Sequence, residues 1–171
     1  VIDGLITFAA FSARQGTMNF QEAPFETVLD DALMLSEFKA SRKNITLEDR
    51  RQPNLPSLSL DKERFSEATA HLIDNAIKFS AEGSTVIVET GTQDSELLVR
   101  VIDEGQGIAA DQLDSIWDSF VQMSTTLERG LEGLGLGRAI ARYIIEAHHG
   151  AITVQSQVGK GSTFTIRLPA G

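Results

Sequence analysis

The sequence predicts an α+β sandwich in which helices cover one face of a single sheet, and three observations carry that expectation. Phe65, Ala68, Leu72, Ala76 and Phe79 step by three or four residues and form the stripe of a long amphipathic helix. Four segments alternate with period two and fall into two clusters, Thr85–Glu89 with Leu97–Asp103 and Ile152–Val154 with Phe164–Leu168. Helices and strands do not alternate one by one, which disfavours a purely parallel sheet.

Each element follows in order. Ile2, Leu5, Ile6 and Ala9 are the apolar positions of a short helix, residues 1 to about 13, ended at Gly16. A helix this short is marginal alone and needs a partner. A brief extended piece at Met18–Gln21 precedes Pro24, which suits the first turn of a helix. Phe25, Val28, Ala32 and Leu35 then make one apolar stripe. Ile45 and Leu47 alternate with polar neighbours as a strand, and Arg50–Pro56, with two prolines, reads as a loop. Asp61 is placed to cap the long helix to Phe79, and Gly91–Ser95 separates the two middle strands. A short helix is expected at Leu113–Trp117 and a longer one from Gly135 to His148, before the two closing strands.

Composition narrows the function. The 171 residues suffice for one domain with a short appendage, and 42% hydrophobic content supports a packed core. No apolar run reaches the length that spans a bilayer, so no membrane contact is expected of this fragment. Fifteen basic against twenty-four acidic side chains leave a net charge of −9, which disfavours a nucleic-acid partner. Cysteine is absent, which excludes disulfides and thiolate zinc sites and accords with a reducing, cytoplasmic setting. The chain opens on Val1 with a helical apolar pattern already running, so residues 1–16 are expected to be the tail of a preceding helix.

Four constellations carry candidate chemistry. His71, Asn75 and Lys78 share one helix face, with Phe79 one turn beyond Asn75. An amide, an ammonium and an imidazole in a row suit a polyphosphate: the amide oxygen can ligate Mg²⁺ and the lysine supplies charge. Leu97, Val99, Val101 and Asp103 share a strand face, so alternation delivers Asp103 to the apolar side. An unpaired carboxylate there costs several kcal/mol, on the order expected for buried polar groups, and calls for a fixed donor such as a purine amine. Gly105 and Gly107 let the backbone approach a flat ligand. Gly133-Leu134-Gly135-Leu136-Gly137 opens a helix, where exposed N–H groups attract an anion. The spacing is neither a dinucleotide fingerprint nor a P-loop. Between them, Phe120 to Glu132 lacks regular periodicity and reads as a binding loop or lid, in which Arg129 offers a bidentate donor. Each of these, taken singly, is also compatible with an ordinary solvated face, turn or loop.

Taken in this order, the segments resemble the ATP-binding catalytic domain of a sensor histidine kinase, within the GHKL ATPase superfamily. His71–Ser80 resembles the N box, Asp103–Ile108 the first glycine box and Trp117–Phe120 the F box. Gly133–Gly137 resembles the second glycine box, and Gly159–Phe164 the last. The resemblance covers about residues 17 to 170, so 17–171 are expected to form the catalytic domain with a Bergerat-type ATP-binding fold. Its sheet is expected to be mixed and mostly antiparallel.

The resemblance implies roles for these residues. ATP and Mg²⁺ are the cofactors, with Asn75 the metal ligand and Lys78 on phosphate. Phe79 lies against adenine and Asp103 accepts from its amino group. Gly105, Gly107 and Ile108 shape the base pocket, joined by Phe120. Gly133, Leu134, Gly135, Leu136 and Gly137 form the lid hinge and phosphate cradle, and Arg129 reaches the γ-phosphate. Ser162 or Thr163 contacts adenine through water. Asn75, Lys78 and Arg129 are thus the catalytic candidates and His71 a further ligand contact. Three positions depart from the family pattern: His71 for Asn, Glu132 for a lid glycine and Arg138 for Leu. Hydrolytic relatives carry a water-activating Glu where this chain has His71, which counts against a GHKL ATPase.

The implied activity is transfer of the γ-phosphoryl to a histidine on a dimerisation domain. No histidine of this chain qualifies as that acceptor: His71 lies in the N box, and His148 and His149 close a helix. The chain alone is therefore expected to be inactive in autophosphorylation. The expected partners are the dimerisation (phosphoacceptor) domain of a homodimeric parent and a response regulator. A regulatory nucleotide-binding module without transfer is the alternative.

Overall fold

The computed structural model describes residues 18–117 and 137–170. The expected stub at 1–16 lies outside them, as do Phe120, Arg129, Glu132 and Gly133 to Leu136.

Strand β1 (Gln21–Pro24) runs into helix α1 (Phe25–Arg42), followed by β2 (Thr46–Arg51), β3 (Ser57–Leu60) and helix α2 (Lys62–Phe79). The chain then forms β4 (Thr85–Gln93) and β5 (Glu96–Asp103), two single 3₁₀ turns up to Trp117, helix α3 (Gly137–Ala147), and β6 (Ala151–Gln157) and β7 (Gly161–Pro169). The five-stranded sheet has the order β2-β4-β5-β7-β6; β2 and β4 are parallel and the remaining pairs antiparallel. β1 and β3 form a separate antiparallel ribbon. The architecture is the mixed, mostly antiparallel α/β sandwich expected from the sequence.

Alternation decides which face is covered. Val86, Val88, Leu97, Val99, Val101, Phe164 and Ile166 are buried, together with Leu29, Phe65, Leu72, Ile73, Ile144 and Ile145 from the helices. On the other face Glu89 and Arg100 stand opposite each other and pair at 3.1 Å, both partly open to water. β4 and β5 are joined by Asp94 and Ser95, both at positive φ, the geometry of a two-residue hairpin that follows strand twist. No helix among the described residues is long and apolar enough to cross a membrane.

Several expectations need correction. Leu35 is 58% exposed; the buried stripe of α1 is Phe25, Val28, Leu29, Ala32, Ser36 and Ala40. The first extended piece is Gln21–Pro24, and Pro24 is the cap of α1 rather than a member of its first turn. The proposed loop at 50–56 begins inside a strand, since β2 continues through Arg51. β3 was not anticipated, because its partner β1 lies more than thirty positions earlier in the chain. Asp61 does cap α2, its Oδ1 accepting from Arg64 N–H at 3.1 Å.

Candidate functional site

The end of β5 carries a buried carboxylate. Asp103 is 6% exposed, at the last core-facing position of its strand. Its Oδ1 accepts from the Gly105 N–H at 2.9 Å, and the Ser162 N–H also donates to it. Burial nevertheless raises its pKa above the ordinary aspartate value, since two amides only partly replace the lost hydration.

Glycines let other backbone close around it. Gly161, at φ +110°, lies so near the Asp103 carbonyl that a Cβ would collide with that oxygen. A Cβ on Gly105 would strike the Phe79 carbonyl and press on Asp103 Oδ1 at 2.9 Å, so the C-terminus of α2 abuts this loop directly. Gly107 stands against the Gln157 carbonyl at φ +75°.

Ser162 is paired with Asp103 across β5 and β7 and is buried on the same face. Its Oγ lies 2.7 Å from Ser156 Oγ, which in turn accepts from the Ile108 N–H at 2.7 Å. Ser156 was missed by motif reading, although the alternation Ile152, Val154, Ser156 places it on the core face. Thr163 is different. It pairs with Ile102 and Gln155, one residue out of phase with Ser162, so it occupies the opposite sheet face and is not brought to Asp103.

The last turns of α2 supply the second half of the arrangement. His71 Nε2 is buried, finds no hydrogen-bond partner among the described residues, and lies 3.6 Å from Glu67 Oε1. The nearby imidazole holds the Glu67 carboxyl below the usual range. Asn75 is half-buried and Lys78 exposed. The Phe79 ring carries a cation on each of two approaches: Lys78 Nζ at 5.5 Å from the ring centroid and Arg138 Cζ at 5.9 Å. Arg138 is buried, and burial lowers its pKa to about 10. It remains charged at neutral pH. Arg142 stands 5.7 Å from the Trp117 ring centroid, and Trp117 packs edge-on against Phe164.

The structure therefore gathers Asp103, Gly105, Gly107, Ile108 and Ser162 at one end of the sheet, with the Phe79 end of α2 against them. Gly137 is the first described residue of α3. The remaining candidates, Phe120, Arg129, Gly133, Leu134, Gly135 and Leu136, lie outside the described residues.

His148 plays no part in this cluster. Its Nδ1 lies 2.7 Å from the Ile144 carbonyl and its Nε2 2.9 Å from the Asp61 backbone nitrogen, between the rings of Phe20 and Phe65. It joins the C-terminus of α3 to the N-terminus of α2.

Comparison with known proteins adds the family. Sensor protein SrrB of Staphylococcus aureus is 38% identical over 111 residues, 65% of this chain. The chain spans only 19% of the length of that relative. Full-length ShkA, solved in complex with AMPPNP, superposes with a TM-score of 0.82 and 27% identity, covering 98% of this chain and 35% of ShkA. The nucleotide-free catalytic domain of histidine kinase ThkA superposes with a TM-score of 0.77 at 24% identity, covering 90% of this chain and 97% of that domain, a likeness of fold. Residues 60–171 match the model of the histidine kinase-, DNA gyrase B- and HSP90-like ATPases, and the chain belongs to that family.

Proposed function

We propose that this chain is the ATP-binding catalytic domain of a sensor histidine kinase: it binds Mg-ATP and donates the γ-phosphoryl to a histidine on a dimerisation domain of the same parent. On this reading residues 17–171 are the catalytic domain and 1–16 lead into it from that helical domain. The observation that carries the proposal is Asp103, a buried carboxylate with raised pKa at the end of β5, with backbone packed closely around it at Gly105 and Gly161. A carboxylate so placed gains a further partner when an adenine amino group donates to it, and Gly105, Gly107 and Gly161 let the neighbouring backbone pack tightly enough to hold it there.

The phosphate end falls to α2 and to the start of α3. Lys78 and Arg138 supply cations, and His71, whose Nε2 stands 3.6 Å from Glu67 Oε1, is a further contact for a phosphate group or its water. Asn75 is the protein ligand of Mg²⁺. It would supply an amide oxygen to the ion beside the oxygens of the nucleotide phosphates. When bound, Mg²⁺ neutralises charge on the β- and γ-phosphate oxygens. Arg129, ahead of α3 in the sequence, is the further candidate cation.

In the transfer, an imidazole nitrogen of the acceptor forms the P–N bond as the bond from Pγ to its bridging oxygen breaks. ADP departs with that electron pair, and the imidazole N–H proton leaves to water. The chain's own residues position the phosphates and stabilise charge; no water-activating base is required. A response regulator then takes the phosphoryl group from the histidine.

The test mixes this chain with a separately prepared dimerisation domain and labelled ATP. Label on the acceptor histidine, lost with Asn75→Ala, is expected. Tight Mg-ATP binding without transfer would leave a regulatory module, and steady phosphate release without an acceptor would indicate a hydrolase.

A further inference from the structure

The end of α2 is gripped by α1. Lys43, half-buried at the C-terminal cap of α1, donates from Nζ to the Ile77 carbonyl at 3.0 Å and to the Lys78 carbonyl at 2.7 Å. One turn earlier, Ser36 Oγ donates to Asp74 Oδ1 at 2.8 Å and Lys39 Nζ pairs with Asp74 Oδ2 at 2.7 Å. These contacts hold α2 at Asp74, Ile77 and Lys78, the turn that carries Asn75 and leads into Phe79.

The Lys43 contact matters electrostatically. The last carbonyls of a helix lack intrahelical donors and carry the negative end of the macrodipole. In α2 that negative end lies within one turn of Asn75 and Lys78, where a polyphosphate would bring several further negative charges. The Ser80 N–H meets only the Ala76 and Ile77 carbonyls. Lys43 meets the Lys78 carbonyl and places a positive charge at the helix end.

We propose that Lys43 is a positioning residue for the nucleotide site, acting through α2: it neutralises the negative end of that helix and holds the turn bearing Asn75, Lys78 and Phe79. The inference rests on the reading of α2 as the Mg-ATP helix. Lys39, by contrast, is 61% exposed and pairs with the Asp74 side chain, so its charge is largely screened by water.

Calorimetric titration with Mg-ATP at a temperature where every variant is folded separates this role from a merely structural one. Lys43→Met is expected to weaken binding about three- to tenfold, the scale of a charge at a helix end. Lys43→Gln keeps a donor, removes the charge, and is expected to lose most of the same factor; it serves if Lys43→Met does not fold. Lys43→Arg should restore affinity to within about twofold. Lys39→Met, which removes an equal charge from the same helix, should change it less than about twofold. Unchanged affinity in folded Lys43→Met or Lys43→Gln would overturn the proposal, as would an equal loss with Lys39→Met. Failure of the unsubstituted chain to bind Mg-ATP is a separate result, and would overturn the functional reading beneath it.

Discussion

His148 Nε2 accepts a hydrogen bond from the backbone N–H of Asp61, 2.9 Å away, while its Nδ1–H donates to the Ile144 carbonyl. The Asp61 contact requires the neutral ring, because a protonated Nε2 would face the Asp61 amide with donor against donor. Burial lowers the His148 pKa below its ordinary value, outweighing the Ile144 carbonyl and the Asp61 carboxylate, which favour the charged form. His149 beside it also disfavours the charge. A lowered folded-state pKa contributes stability that is present above about 6.5, the unfolded value, and is lost as pH falls toward the folded value. Urea midpoints are therefore expected to decline between pH 7.5 and 5.5. His148→Gln, whose amide oxygen can still accept from Asp61, should flatten that part of the profile. An unaltered slope in the variant would remove His148 as its source.

Asp103 has the opposite sign. Its folded-state pKa is raised, so its contribution to stability is present below the unfolded value near 3.8 and is lost as pH rises through the folded one. At neutral pH the ionised side chain is a cost to the ligand-free domain. Asp103→Asn should leave the thermal midpoint of the free chain unchanged or raise it. The same substitution should weaken ATP binding by about 1.5–3 kcal/mol, the value of a hydrogen bond to a charged group, and affect GTP far less. Calorimetry with both nucleotides checks the pair. Equal losses for ATP and GTP would refute adenine recognition by this carboxylate.

Gly161 and Gly159 are two residues apart and predict different outcomes. Gly159, at φ +81°, has nothing within 4 Å of an added Cβ, so Gly159→Ala should cost only about 1 kcal/mol of left-handed strain. Gly161→Ala adds a collision with the Asp103 carbonyl to a comparable φ, and rigid backbone cannot move aside as a side chain can. A loss above about 2 kcal/mol is expected, with weakened ATP binding if β7 shifts relative to Asp103. Denaturant titration of the two variants side by side measures the difference.

Much of this was legible because it depends on local rules. Capping is a matter of one side chain and the next turn, so Asp61 could be placed from sequence. Alternation is equally local, and it carried Asp103 to the core face at the end of β5. What depended on distant pairing was not legible. Strand β3 exists because β1 pairs with it, and the prolines before it, at 53 and 56, spoke only of a loop. The Ser156–Ser162 contact arises from strand register, as does the separation of Thr163 from Asp103. Lys43 carries no motif; it matters only because α1 ends beside the end of α2.

The stripe of α1 shows how period alone misleads. Leu35 continues the spacing set by Val28, seven positions on, yet it is 58% exposed, whereas Leu29 is fully buried. A helix turns 100° per residue, so a strict seven-residue repeat drifts by about 20° per heptad from a straight helix face. The sheet and α2 meet α1 on the side of Leu29, Ser36 and Ala40, and Ser36 spends its hydroxyl on α2. Leu29→Ala should therefore remove about 2–5 kcal/mol, because the surrounding core cannot collapse fully into the space. Leu35→Ala should change stability by no more than about 0.5 kcal/mol. Guanidinium unfolding of both variants distinguishes the faces, and a large loss at Leu35 would mean that this side of α1 is covered in the folded chain.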